Sequence, residues 1–403
     1  MKIRKCKGMK DLTPRDMTEF RAVETACRDI LVDWGYQEVR TPTLEHLHLF
    51  TSAGTLTPAQ LGKVYSFLDW DGWSGERVVL RPDGTIPVAR FYTETSPGEP
   101  ARLFYSTNVF MFEDGTDRAR ERWQCGGELM GVASPAADAE LIVLSLKILE
   151  ALGFHDVEVR LSHAGVISAL LGKLGLEPEE QHKMFDRILD GDTDALAEIG
   201  RNAPDLKQTL ETLVYLKGRS CAFLKNQQAV LPPSLADLRP SLEEFNASVG
   251  LLDELGIEYE INIASGAGFE YYTGMIFQLF IGDRKVGGGG RYDALISSMG
   301  GGDVPAAGFA LYLTTLLTFG ELPGAADRKK VIVRGKDVPA VFRTGRELRQ
   351  AGYIVEQGSS PDTSSPVIEV VEGGFTITRQ GTKEKLTSLD EVFPQLEALW
   401  PSR

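Results

Sequence analysis

Cysteine is scarce in this chain and what there is stays scattered. Cys6, Cys27, Cys125 and Cys221 form no CxxC pair and no evenly spaced framework. That excludes a disulfide scaffold and leaves reduced structural thiols as the expectation. Histidine is nearly as rare, at 5 residues in 403. His46 and His48 form an HxH that would share one face of a strand, but no third ligand stands at useful spacing, so no metal is expected and packing or surface roles are preferred. No apolar run approaches the length that spans a bilayer. The N-terminus MKIRKCKGMKDLTP is charged and lacks the apolar core of a leader, so the cytoplasm is the expected compartment. Positive charge is also short: 43 Lys and Arg against 57 Asp and Glu give a net charge of -14. Such a field repels polyanions and gives nucleic-acid binding no bulk assistance. There is no GxSxG, no cysteine beside an obvious base and no GxxxxGK[ST].

What is present is ordinary for a globular protein, with 42% apolar and 25% charged residues. Thr13-Pro14-Arg15-Asp16 reads as a capped helix start, and apolar residues from Met17 through Trp34 repeat at helical spacing up to Gly35. "RLFYSTNVFMFE", a charged turn "DGTDRARE" and "RWQCGGELMGV" predict a long antiparallel hairpin. Asp138 to Leu152 reads as a helix and "HDVEVRLS" as a strand. From about 163 to 255, helical segments separated by Gly, Pro and Asp read as an insertion between two halves of a sheet. "EYEINIA" and "FEYYTGMIFQLFIG" predict strands leading into "VGGGGRYDALISSMGGGD", which taken alone reads as a loop of tight turns. "ELPGAADRKK" reads as a linker to a small α/β unit. Strands before and after a helical block favour a mainly antiparallel α+β fold.

Chemistry is concentrated in the hairpin. Gln124 and Glu128 sit four apart in an apolar strand, so both point to one side of the sheet. If that side is buried they need partners, since an unmet buried polar group costs about 1–3 kcal/mol. Spacing alone favours a structural role for them. Asp83 in "LRPDGT" and the tyrosines of "FEYYTG" have bland readings too, as a local turn bond and a core-facing ring.

Taken together and in order, these segments resemble the core of a class II aminoacyl-tRNA synthetase of the histidyl type. "KGMKDLTP" is similar to that family's opening, "GYQEVRTPTLEHLHLF" to its first motif, and "LRPDGTIPVARFY" to the loop that contacts the amino group. "NVFMFEDGTDRARERWQCGGELMG" resembles the second motif, "GFEYYTG" the histidine-specific element, and "GGGGRYDALISSMGGGDVPAAGFAL" the third. The resemblance implies an antiparallel sheet flanked by helices over residues 1–320, with a helical insertion at about 163–255. Residues 328–403 resemble a shortened anticodon-binding domain. It also implies a homodimer through the first motif.

The catalytic residues of the family do not carry over. The second motif's Phe-Arg-x-Glu stands here as Phe110-Met111-Phe112-Glu113, and Arg122 replaces the aromatic that stacks on adenine. The histidine-specific arginine is Ala267. In the third motif Tyr312 replaces a glycine and Thr315 an arginine. Fixed cations stabilise charge developing on a phosphate, and losing one typically costs about 10²–10³ in rate, so no aminoacylation and no cofactor are expected. The amino-acid half survives: Asp83, Thr85, Gln124, Glu128, Tyr271 and Tyr272 match the family's histidine contacts. This pattern resembles the non-catalytic branch represented by regulatory subunits of ATP phosphoribosyltransferase. The branch implies a short-form catalytic phosphoribosyltransferase as partner and L-histidine as effector in the first step of histidine biosynthesis. tRNA is not expected as a partner. A divergent histidyl-tRNA synthetase and a synthetase-like histidine or tRNA sensor are the alternatives.

Overall fold

The computed structural model describes all residues except 1–4, 54–55, 57–60, 71–74, 97, 113–118, 178–179, 182, 185–186, 188–192, 203–205, 210, 212–216, 264–270, 321–328, 359–364, 380–381 and 400–403. Contacts divide the chain into two compact units, residues 1–324 and 325–403.

The first unit contains β1 (Gln37–Glu38), β2 (Leu44–His46), β3 (Ser66–Trp70), β4 (Gly75–Leu80), β5 (Ala101–Phe110), β6 (Glu121–Met130), β7 (Glu158–His163), β8 (Glu260–Ile261), β9 (Met275–Ile281), β10 (Arg284–Arg291) and β11 (Ala306–Leu311). β2, β4 and β3 form a small sheet, and the others form an eight-stranded sheet in the order β1-β5-β6-β11-β10-β9-β7-β8. Its interior pairs are antiparallel, while the edges β1 and β8 are two residues long and pair in parallel. Parallel neighbours need a long crossover, and the helical block between β7 and β8 supplies it. It includes helices at Ala164–Gly172, Thr193–Asn202, Cys221–Ala229 and Arg239–Glu254. The helices expected within 178–191 and 205–218 fall largely outside the described residues.

The helix at Pro14–Asp33 begins with the reciprocal cap its sequence predicts. The Thr13 hydroxyl accepts from the Asp16 N–H while Asp16 accepts from the Thr13 backbone. This helix buries Phe20, Val23, Cys27 and Leu31 on one sheet face, together with the helix Pro135–Ala151. The opposite face packs near one end against the helix Thr85–Thr95, through Leu103, Tyr105, Ile86 and Ala89.

The glycine run is not a loop. Gly287 to Gly290 lie within β10, paired on both sides. Glycine marks a turn where backbone must reverse, but here it permits close approach of the neighbouring strands. A Cβ at Gly289 would stand 2.1 Å from the Gly308 carbonyl oxygen, and one at Gly288 2.6 Å from that of Phe277. His46 and His48 do not share a strand face: His46 ends β2 and His48 lies in the helix Leu47–Ser52, and each has its own polar neighbour, Glu76 at 2.9 Å and Ser52 at 2.9 Å. Tyr271 and Tyr272 precede β9 rather than belonging to it.

The second unit carries its own core of Val331, Val333, Leu348, Ile368, Val392 and Leu396. Its five strands include Thr382–Leu386, which the pattern of the sequence did not suggest.

Candidate functional site

Register places the site. Tyr105 pairs with Gly126 and Thr107 with Gln124. Gly308 pairs with Glu128 and with Gly290. Cross-strand partners share a face, so Tyr105, Gln124, Gly126, Glu128, Gly308, Gly290 and Gly288 all open to the same side. The glycines make a floor without side chains, and the polar groups rise from one end of it.

Asp83 and Thr85 enter over this floor from the β4 side. The buried Arg81 fixes the approach by donating to the carbonyls of Thr41, Pro42 and Asn108 and to the Asn108 side chain, at 2.8–2.9 Å. Its charge is thereby spent on backbone. Asp83 Oδ1 accepts the Ile86 N–H at 2.9 Å and so caps the helix Thr85–Thr95, the local bond its sequence suggests. Gly84 between them is required, because a Cβ there would lie 2.3 Å from the Tyr105 ring and 2.7 Å from Gln124 Nε2.

Glu128 is fully buried at the centre. Its Oε2 accepts the Tyr292 hydroxyl, while its Oε1 has no partner among the described residues. Burial pushes its carboxyl up to about 8; the Tyr292 and Thr85 hydroxyls oppose the shift and the Asp83 charge adds to it. Gln124 donates from Nε2 to the Tyr105 hydroxyl at 3.1 Å. Tyr271 and Tyr272 stack with ring centroids 4.3 Å apart and hydroxyls 3.0 Å apart, and Tyr271 leans on Tyr292 at 5.7 Å. Burial raises the phenols of Tyr105, Tyr271 and Tyr292, and nearby carboxylates raise them further. The Tyr272 ring lies on the floor, 2.9 Å from where a Gly290 Cβ would be.

All of Asp83, Thr85, Gln124, Glu128, Tyr271 and Tyr272 therefore gather in one place. Sequence reasoning missed Tyr105 and Tyr292. Tyr105 had a legible signal, since a ring opposite the glycine pair 126–127 needs that space. Tyr292 is fixed by its hydrogen bond to Glu128, and its neighbour Arg291 is held by Asp138 at 2.7 Å and by the Ser134 carbonyl at 3.2 Å.

Chemically, two carboxyl groups, an amide and a ring of phenols suit a ligand rich in hydrogen-bond donors and positive charge. The side of the cleft where the family resemblance would seat a nucleotide is altered. Met111 stands at the end of the hairpin, Tyr312 lies close enough to Tyr272 to disfavour its ionisation, and Thr314 Oγ1 accepts the Trp123 N–H at 2.7 Å. Glu113 and Ala267 lie outside the described residues. Among the described residues no cluster of His, Cys, Asp and Glu could hold a metal ion, and no helix is long and apolar enough to cross a membrane.

Fold and cleft together define a synthetase-like protein, and a family model described as histidyl-tRNA synthetase matches residues 8–316. A relative from Dehalococcoides mccartyi, called ATP phosphoribosyltransferase regulatory subunit, is 50% identical over 93% of this chain and 91% of its own. A histidine–tRNA ligase from Methanosarcina acetivorans is 35% identical over 83% of this chain and 79% of its own. In fold, the chain is similar to a crystal structure titled as an ATP phosphoribosyltransferase regulatory subunit/histidyl-tRNA synthetase from Bacillus halodurans, with a TM-score of 0.77, 22% identity, and coverage of 90% and 95%. The chain belongs to the histidyl-tRNA synthetase family and, within it, to the ATP phosphoribosyltransferase regulatory subunits.

Proposed function

We propose that this chain is the regulatory subunit of an ATP phosphoribosyltransferase, acting on a short-form catalytic partner in histidine biosynthesis and performing no aminoacylation itself. Its pocket takes L-histidine as the feedback signal. The observation that carries this reading is Glu128: a fully buried carboxyl with one oxygen unanswered among the described residues, beside Tyr292, Thr85 and Tyr105. An unpaired buried polar group costs about 1–3 kcal/mol, and a ligand group that hydrogen-bonds to that oxygen, such as an imidazole ring nitrogen, relieves that cost. Asp83 supplies a second acceptor and charge for the amino group.

Adenylate formation needs cations at the α-phosphate. Met111, Ala267 and Thr315 stand where the family resemblance has arginines, which supports a regulatory reading over a ligase. If histidine binds one quaternary arrangement more tightly, a coupling of about 1–3 kcal/mol suffices for feedback. A homodimer through the first-motif region belongs to the same proposal.

Calorimetry of the full chain should register L-histidine binding and no ATP binding. Mixing with the catalytic subunit should raise phosphoribosyltransferase activity and make it histidine-sensitive. Histidine-dependent ATP–pyrophosphate exchange by the chain alone would refute the proposal.

A further inference from the structure

The floor does not stop at the tyrosines. Beyond Gly290 it continues over Gly288, and the side chain standing there is a lysine. β9 and β10 lose register between Lys285 and Gly287, and such a bulge re-aims the side chains beside it. Lys285 pairs with Phe280, two residues from Gln278, which is the partner of Gly288. Lys285, Gln278 and Gly288 thus share the face that bears Glu128. The lysine stem confirms this placement, because its Cε lies 3.6 Å from where a Gly288 Cβ would be.

Lys285 is partly buried, and among the described residues its ammonium has no ion-pair or hydrogen-bond partner. The other cations on this face are committed. Arg160 gives Nε and an Nη to Glu158 at 2.7 and 3.1 Å and lies 4.0 Å from the Phe280 ring centroid. Arg122 is not free either. The sequence 264–270, outside the described residues, contains no Lys or Arg.

A free amino acid brings a carboxylate as well as an ammonium. Beside Asp83 that carboxylate is repelled, and burying it unpaired is costly. Glu128 stands over Gly308, which pairs with Gly290, two residues from Gly288. Ideal strand spacings put Gly308, under the Glu128 carboxyl, and Gly288 about 8 Å apart, a span that one amino acid lying on the glycines can bridge.

We propose that Lys285 is the specificity-determining cation of the pocket, holding the carboxylate of an amino acid whose amino group and ring are taken by Asp83 and Glu128. The proposal rests on reading the cluster as an amino-acid pocket. It adds that the pocket selects zwitterions over simple amines with the same ring.

Titration of the full chain with L-histidine and with histamine, which keeps ring and amine but lacks the carboxylate, tests it. The unaltered protein should favour histidine. Lys285→Met should weaken histidine about 10–100-fold, the loss expected for a charge-assisted contact, and leave histamine within about threefold. Lys285→Arg should retain the preference. If Lys285→Met binds histidine as the parent does, or loses both ligands equally while its circular dichroism is unchanged, the assignment of Lys285 is wrong. If neither ligand binds the unaltered protein, the pocket reading falls with it.

Discussion

Glu128 places a carboxyl where water does not reach, and the folded protein answers by keeping its proton. Its ordinary value is 4.5 and burial raises it to about 8. Between those values the folded state holds a proton that the unfolded state releases. By linkage, the contribution of this residue to stability is highest below the lower value and declines as pH rises toward the upper one. Glu128→Gln keeps the acceptor for Tyr292 and removes the titration. Denaturant unfolding should therefore show the variant gaining on the parent, by up to about 4 kcal/mol, between about pH 5 and about pH 9. A gap independent of pH would mean that the carboxyl is not held protonated. Gly308 shows the same crowding from the other side, since a Cβ there would lie 1.7 Å from Glu128 Oε2. Gly308→Ala should abolish histidine binding in calorimetry by pushing that carboxyl aside.

At the scale of elements, β10 separates what glycine does in a strand from what it does in a helix. A methyl group at 289 meets the backbone of Gly308 and Phe309 at 2.1 and 2.7 Å, while one at 250, in the helix Arg239–Glu254, meets nothing within 4 Å. In urea unfolding, Gly289→Ala should cost about 3 kcal/mol or more by forcing β10 and β11 apart. Gly250→Ala should gain up to about 1 kcal/mol from helix propensity. This contrast also explains which elements could be read in advance. The hairpin of β5 and β6 and the capped helix at Pro14–Asp33 announce themselves, because period, cap and turn agree locally. The glycine strand does not, because its requirement comes from neighbours distant in sequence. Lys285 was invisible for a related reason: a bulge shifts the register that alternation assumes. Of the site, Asp83, Gln124, Glu128 and the tyrosine pair were legible only through the order of motifs, as their individual spacings favoured structure.

For the molecule as a whole, charge sets the terms. With 43 basic against 57 acidic residues, polyanions are repelled at long range, and affinity for them must come from local contacts. Bulk tRNA at about 0.15 M salt, where screening lengths fall to about 8 Å, should cause no mobility shift under conditions where L-histidine binds; a strong salt-dependent shift would favour the sensor reading. Each of the two compact units buries its own apolar cluster. The main sheet is trimmed at both sides, by Gln37–Glu38 and by Glu260–Ile261, and the latter is already bridged by Gly218. Such stubs leave too few free amides and carbonyls to template another strand. Through the main sheet, a protein that joins this unit accordingly finds no long open edge among the described residues; the longer open edge in the unit is Ser66–Trp70 of the small sheet.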